Sequence, residues 1–233
     1  IIGTVSGTSI SFGTATVFES ATTLLSTRSA AYDANAQKVV IAYRDYGNSS
    51  NGTAIVGTVS GTSISFGGAT VFETGSSVHF SVVYDANAQK VVIAYEDGGN
   101  SNHGTAIVGT VSGTSISFGS PVVFESADSR WISAVYDASA QKVVIAYEDN
   151  GNSNYGTAIV GTVSGTSISF GTAVVFESAN AEGMSAAYDA NAQKVVIAYE
   201  DRDNNDYGTA IVGTVSGTSI SFGTAAVFET AAS

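Results

Sequence analysis

Residues 141–171 read QKVVIAYEDNGNSNYGTAIVGTVSGTSISFG, and this stretch decides the fold because most of it recurs at a fixed spacing. The decapeptide TVSGTSISFG occurs five times, at residues 4–13, 58–67, 110–119, 162–171 and 214–223. The heptapeptide QKVVIAY occurs four times, beginning at Gln37, Gln89, Gln141 and Gln193 with a spacing of 52 residues. A period of this length is typical of solenoids and propellers, in which stacked units share one core.

Each repeat divides into four β-like runs. In the last copy they cover residues 185–188, 194–199, 209–215 and 219–228. Val, Ile, Thr, Tyr and Phe fill the runs, whereas Gly, Asn, Asp and Ser fill the gaps between them, and no helical periodicity interrupts the pattern. The sequence therefore predicts an all-β unit of four antiparallel strands.

Four antiparallel strands in a repeat of this length indicate a β-propeller blade. The apolar pattern of the second strand favours this interpretation, because residues 39–43 are almost continuously hydrophobic. A strand with such a pattern is buried on both faces, as it would be between two neighbouring blades. A β-solenoid is the alternative, although its rungs are usually shorter.

The repeat boundaries predict a single propeller domain over residues 1–233. Residues 1–19 form a partial blade, an outer hairpin without its inner strands, and four full repeats follow at 20–73, 74–125, 126–177 and 178–229. We favour five blade positions, and a four-bladed ring with a spare hairpin is the alternative. The open edge of the hairpin predicts either a longer natural chain or a homo-oligomer. Two extra residues between Glu19 and Asp33 predict a longer loop there.

Charge and composition exclude several classes of partner. Lys and Arg number 8 against 20 Asp and Glu, giving a formal net charge of −12. We therefore expect no nucleic-acid partner, since nucleic acids are bound through basic patches. We also expect no membrane insertion and no signal peptide, because no apolar run approaches a membrane span. The absence of Cys excludes disulfides, thiolate nucleophiles and Cys-ligated zinc.

The repeats differ from one another mainly in two connections, the one that leads into the first strand and the loop between the second and third strands. Strands one and three run in the same direction, so both connections should open on the same side of the domain. Loops on a rigid scaffold commonly carry binding, although neutral drift would also produce such variation. The candidate ligand-binding residues are Arg28, Tyr46, His79, Phe80, His103, Arg130, Trp131, Tyr155, Met184, Arg202 and Tyr207.

The Asp- and Asn-rich loop of the last repeat is a candidate calcium site. Asp201, Asp203 and Asn205 present oxygens at alternate positions, which is the pattern that Ca²⁺ ligands adopt. Asx-turns explain the same residues without a metal. Apart from this possible Ca²⁺, we expect no cofactor.

The sequence indicates no catalytic residue. Adjacent carboxylates such as Glu96 and Asp97 point to opposite faces of a strand, so they make poor acid–base pairs. The Glu that follows Val-Phe, as at Glu125, recurs in all five copies, and such repetition favours a structural role. We therefore expect a protein that is not an enzyme.

The blade pattern consists of VVIAYED, as at 143–149, then a loop, GTAIVGTVSGTSISF, as at 156–170, and PVVFES, as at 121–126. This pattern is similar to blades of sialidase-like glycosidase propellers. In that family the hairpin of the third and fourth strands often carries an Asp-box, S-x-D-x-G-x-T-W. Residues 60–66 occupy the matching place without the Asp and Trp of the motif. The resemblance implies the propeller fold but transfers no catalytic residue. The amino-acid sequence of the repeat also resembles repetitive sequences of marine bacteria and their phages, some of which occur in tail or surface proteins.

These observations predict a non-enzymatic, multivalent attachment module that binds glycans at an extracellular or virion surface. Aromatic platforms beside Asn and Asp hydrogen-bonding groups suit sugars, and repeated weak sites gain through avidity. A purely structural role in an extracellular or virion assembly is the alternative, and a glycosidase is the third hypothesis.

Overall fold

The computed structural model describes residues 1–21 and 28–230, and 69% of these described residues are in strands. The strands are β1 (Gly3–Ser6), β2 (Ser9–Phe12), β3 (Arg28–Asp33), β4 (Lys38–Asp45), β5 (Asn51–Ser60), β6 (Ser63–Phe66), β7 (Thr70–Asp85), β8 (Lys90–Asp97), β9 (His103–Ser112), β10 (Ser115–Phe118), β11 (Val122–Asp137), β12 (Lys142–Asp149), β13 (Tyr155–Ser164), β14 (Ser167–Phe170), β15 (Val174–Asp189), β16 (Lys194–Asp201), β17 (Tyr207–Ser216), β18 (Ser219–Phe222) and β19 (Ala226–Glu229). Three short 3₁₀ helices lie at Gly98–Asn100, Asn150–Asn152 and Arg202–Asn204. No helix within the described ranges is long and apolar enough to cross a membrane.

All strand pairs are antiparallel, and three long strands join consecutive repeats. In β11, residues Val122 to Asp128 pair with β9, whereas Ser129 to Asp137 pair with β12. β7 and β15 divide in the same way. We name four units after this division. Repeat 1 comprises β3–β6 and the first half of β7, and repeat 2 runs from the second half of β7 through the first half of β11. Repeat 3 runs from the second half of β11 through the first half of β15, and repeat 4 runs from the second half of β15 through β19. Residues 1–19, with β1 and β2, are the leading hairpin.

The core lies between consecutive repeats, and each repeat contributes two different faces to it. We call one the Val-Ala face, represented in repeat 2 by Val92, Ala94, Ala106 and Val108. It packs against the aromatic face of repeat 3, represented by Val143, Ile145, Tyr147, Ile159 and Ile168. Both faces belong to the same strands, which explains why β12 is buried continuously from Val143 to Asp149.

The same three hydrogen bonds cross every interface between repeats. Between repeats 2 and 3, the Ala134 N–H donates to Ser81 Oγ at 2.8 Å and the Asn87 N–H donates to the Tyr136 hydroxyl at 3.1 Å. The third is donated by the Tyr147 hydroxyl to Glu125. Equivalent bonds join repeats 1 and 2 and repeats 3 and 4. This recurrence gives the invariant Glu the structural role that its repetition predicted.

The two ends of the array differ from its interior. The strands of the leading hairpin pair only with each other among the described strands, and its Gly13 lies against Thr62 as Gly67 lies against Thr114. In repeat 4, β16 alternates between buried and half-buried residues, because no other repeat among the described residues covers its Val-Ala face. The all-β, antiparallel prediction is confirmed. Of the predicted longer loop between Glu19 and Asp33, residues 22–27 lie outside the described residues.

Candidate functional site

The two variable connections meet at one side of the molecule, as the strand directions predicted. The Ser129 N–H donates to the Asn102 carbonyl at 3.1 Å, so the connection into one repeat lies on the loop of the repeat before it. The Asn150 side-chain amide likewise donates to Asp128 Oδ2 at 2.6 Å. We call this side, which carries the three 3₁₀ helices, the variable side.

A bulge on the variable side places three equivalent residues in left-handed backbone conformation. The register of strand pairing shifts there in β7, β11 and β15. The residues are His79 at φ 51°, Trp131 at φ 49° and Gly183 at φ 59°. Glycine adopts this conformation without strain, whereas other residues lose about 1–2 kcal/mol. Two repeats therefore keep large side chains at a costly position, and such strain concentrates at functional sites.

His79 and Trp131 form an aromatic pair across the interface of repeats 2 and 3. Their ring centroids lie 5.4 Å apart with an interplanar angle of 59°. Trp131 is 38% exposed, and the His79 side chain is 20% exposed. An aromatic surface is thus open to solvent on the variable side.

Charged and polar groups surround this pair. Arg130 Nη2 lies 2.7 Å from Asp128 Oδ2, and Glu96 Oε2 lies 3.7 Å from His79 Nε2. Asp128 Oδ1 and Asn150 Oδ1 are buried acceptors with no hydrogen-bond partner among the described residues. Buried acceptors without a partner are exceptions in folded proteins, where most buried polar atoms are hydrogen-bonded.

The two glutamates of the patch have shifted acid–base properties. Burial, with the nearby Asp128 carboxylate, raises the pKa of Glu96 to about 7, and Arg130 opposes this shift. Burial and Glu182 raise the pKa of Glu148 to about 7. Burial, followed by the Arg130 charge, lowers the pKa of His79. His79 and Glu96 therefore do not form a full ion pair at neutral pH.

The other predicted ligand residues lie in different environments, some in the core and some at the surface. Phe80 and Met184 lie in the core at 7% and 9% exposure, so they support the bulges from beneath rather than form part of the exposed patch. Arg202 is exposed and pairs with Glu182 at 3.2 Å and with Glu200 at 2.9 Å. The Arg44 guanidinium stacks on the Tyr46 ring at 4.6 Å. The remaining positions are at strand starts: half-buried His103, Tyr155 and Tyr207, and exposed Arg28.

Sequence reasoning missed four members of the patch, namely Glu96, Asp128, Glu148 and Asn150. The sequence relates Glu96 and Glu148 only to the Asp that follows each of them on its own strand. Each also has a charged neighbour from the following repeat, Arg130 for Glu96 and Glu182 for Glu148. The only available signal was that Asp128 and Asn150 also lie in the two variable connections.

The predicted calcium ligands have different environments. Asp201 is 9% exposed and precedes the 3₁₀ helix Arg202–Asn204, and its Oδ1 has no hydrogen-bond partner among the described residues. Asp203 and Asn205 are exposed. Within residues 1–21 and 28–230, no group of three or more His, Cys, Asp or Glu side chains is placed to hold a metal ion. The calcium site stays a prediction.

Comparison with models of known protein families gives no match, and no curated protein sequence matches the chain significantly.

Proposed function

We propose that the protein is a glycan-binding module that acts without turnover, and that its principal site is the patch around Trp131 on the variable side. The observation that carries this proposal is the Trp131–His79 aromatic pair, held on two strained bulges from neighbouring repeats. Neither side chain is needed to form the bulge, since Gly183 forms the same bulge in repeat 4.

Sugar chemistry fits the surroundings of this pair. The apolar face of a pyranose ring stacks on an exposed indole, while its hydroxyls require acceptors and donors at the ring edge. The Asp128 carboxylate, whose side chain is 24% exposed, supplies an acceptor, and the Arg130 side chain, which is 48% exposed, supplies donors. The equivalent bulge of repeat 4 has only Gly183, so we propose unequal sites whose weak contributions add through avidity.

We further infer that the repeats are blades of a β-propeller with five positions. Two features support this inference. Consecutive repeats bury opposite faces of the same strands against each other. The leading hairpin also stands beside repeat 1 in the relation that each repeat has to the next. A glycan-binding propeller of this kind would act at an extracellular or virion surface.

The binding proposal is tested by glycan-array screening of the wild type, followed by calorimetry of the best ligand. Trp131→Gly should reduce affinity at least about tenfold, the effect of losing one aromatic contact of roughly 1.4 kcal/mol. Glycine relieves the bulge, so the loss cannot be attributed to unfolding. Val123→Ala, which truncates a surface residue away from the patch, is the matched control. Gly183→Trp should add affinity, because it places an indole at the equivalent position of repeat 4, although φ 59° makes any side chain there strained.

Two results would overturn this proposal. The first is a wild type that binds no glycan on the array. The second is affinity that Trp131→Gly leaves unchanged. Release of reducing sugar from the bound glycan would contradict the absence of turnover, and Glu96→Gln and Glu148→Gln would then identify the acid.

A further inference from the structure

Carboxylates outnumber cations around the Trp131–His79 pair. Glu96 Oε2 lies 3.7 Å from His79 Nε2, and Glu148 is the cross-strand partner of Arg130, which directly precedes Trp131. Further carboxylates and guanidiniums act on these two glutamates. The carboxylates, which we call the acidic cluster, belong to Glu96, Asp128, Glu148 and Glu182, and the guanidiniums belong to Arg130 and Arg202. The surroundings of the exposed indole are therefore acidic.

Both guanidiniums already have carboxylate partners. Arg130 pairs with Asp128 at 2.7 Å. Arg202 pairs with three carboxylates at distances between 2.9 and 3.3 Å. Among the described residues, neither guanidinium forms an ion pair with Glu96 or Glu148. These two glutamates therefore lie beside the aromatic pair without a permanently charged cation of their own.

Glu148 shows most clearly that a cation is missing. It is 3% exposed, and its carboxylate accepts no hydrogen bond from any described residue. A buried carboxylate is normally paired or hydrogen-bonded, because an isolated charge is costly to remove from water. Without a partner such a group takes up a proton instead, in agreement with the raised pKa of both Glu148 and Glu96. A cation brought to this place would restore the charge of the glutamates and release their protons.

We propose that the patch selects a sugar with a free ammonium group, that is, a 2-amino-2-deoxy pyranose without an acetyl substituent. The ammonium lies over the exposed part of Trp131, because the face of an indole attracts a cation. Asp128, whose side chain is 24% exposed, contacts the ammonium directly. Glu96 and Glu148 are too buried for contact and act through their charge, which is felt more strongly where water is excluded. This inference rests on the proposed glycan binding.

The same charges disfavour the other common classes of sugar. An acidic sugar would bring a carboxylate or sulfate towards the acidic cluster, and juxtaposed like charges suppress the wrong partner. A neutral sugar stacks on Trp131 but leaves Glu148 without a cation. The formal net charge of −12 adds a long-range attraction for a cationic ligand. The free amine is therefore the group that distinguishes the preferred ligand.

Calorimetry with two matched ligands tests this preference. The β-1,4-linked glucosamine tetrasaccharide and its fully N-acetylated counterpart have the same rings and linkages but differ in charge. Near neutral pH and at low salt, the wild type should bind the amino ligand at least about tenfold more tightly, and added salt should reduce this difference. The N-acetylated ligand isolates the contribution of stacking on Trp131.

Removal of the two buried carboxylates should abolish the preference. Glu96→Gln/Glu148→Gln should lower the affinity for the amino ligand about tenfold and leave the affinity for the N-acetylated ligand unchanged, which also shows that the variant is folded. Asp189→Asn is the matched control. It removes an exposed carboxylate at the end of β15 that lies away from the bulge, so it should keep the preference of the wild type.

A ligand with a permanent charge separates the titration of the protein from that of the sugar. The N,N,N-trimethylated tetrasaccharide stays cationic at every pH. Its affinity should rise from about pH 5 to about pH 8, because Glu96 and Glu148 lose their protons over this range. Binding below neutral pH should release protons, which calorimetry in buffers of different ionisation enthalpy detects. The double variant should lose most of this pH dependence.

The possible failures are distinguishable. A wild type that binds no glycan overturns the proposed function and this inference together. A wild type that binds the N-acetylated ligand or an acidic glycan at least as tightly as the amino ligand overturns only the preference for an ammonium group. A preference that survives in the double variant also overturns this inference, because the attraction would then originate outside Glu96 and Glu148.

Discussion

Tyr147 donates a hydrogen bond to Glu125 Oε2 across 3.1 Å, and the two residues belong to neighbouring repeats. The other carboxylate oxygen of Glu125 accepts the Ala127 N–H at 3.2 Å, so the glutamate is fixed by its own strand before it reaches across the interface. Tyr147 is fully buried, and burial together with Glu125 raises the pKa of its hydroxyl above the usual range. The bond thus persists across the pH range in which the protein would be studied.

Removing this hydroxyl should weaken the coupling of repeats 2 and 3. Tyr147→Phe leaves a carboxylate oxygen without its donor, and we expect the free energy of unfolding to fall by about 1–2 kcal/mol. Urea denaturation followed by tryptophan fluorescence measures the change. Tyr155→Phe is the control, since Tyr155 is only half-buried, and it should change stability by a few tenths of a kcal/mol. Equal effects of the two substitutions would show that the interface bond contributes nothing specific.

The left-handed backbone at the bulge predicts that glycine stabilises this position, which is opposite to its usual effect in a strand. Trp131 has φ 49°, so Trp131→Gly should be more stable than Trp131→Ala by about 1 kcal/mol, although glycine normally destabilises a strand. The reverse change at the equivalent position, Gly183→Ala, should cost a similar amount. Thermal denaturation of the three variants measures both differences. If Trp131→Ala were the more stable variant, the bulge would not carry the inferred strain.

The repeat period was sufficient to predict the strands and their order, because each unit repeats the same alternation of β-branched residues and turn residues. It also predicted that variation would gather on one side, since the directions of antiparallel strands determine where the connections lie. The period could not predict which variable residues point outward. Phe80 follows His79 directly, but the bulge turns Phe80 into the core and leaves His79 at the surface.

The charged patch was beyond prediction for a related reason. Glu96 is close in space to Asp128 and Arg130, which are more than thirty residues away in sequence, and Arg130 belongs to the next repeat. Their proximity depends on how far neighbouring repeats are displaced from each other. That distance is determined by the packing of Val and Ile side chains and not by any local motif.

The raised pKa values of Glu96 and Glu148 predict that stability falls as pH rises. Both groups have folded-state pKa values of about 7, above the ordinary value of 4.5. Between these values the folded state binds more protons than the unfolded state, so each pH step disfavours folding. The stabilisation is complete below pH 4.5 and is lost as pH approaches 7. We expect the Tm to decrease from pH 5 to pH 8.

The double variant Glu96→Gln/Glu148→Gln should flatten this pH dependence, because neither amide titrates. Glu200→Gln is the matched control, since Glu200 is the equivalent residue on the exposed end face of repeat 4 and pairs with Arg202. It should retain the slope of the wild type. Scanning calorimetry at several pH values measures the Tm, and a slope unchanged in the double variant would assign the pH dependence to other groups.

Two glycines in identical local sequence test whether the packing of repeats is what stabilises the chain. Gly171 and Gly223 both lie in Phe-Gly-Thr-Ala, but a Cβ on Gly171 would collide with the Thr218 carbonyl of repeat 4, whereas a Cβ on Gly223 would meet nothing closer than 3.8 Å. Gly171→Ala should therefore destabilise by about 1–3 kcal/mol, the usual cost of overpacking, and Gly223→Ala should be tolerated. If local conformational preference determined the cost, Gly171→Ala and Gly223→Ala would destabilise the chain equally.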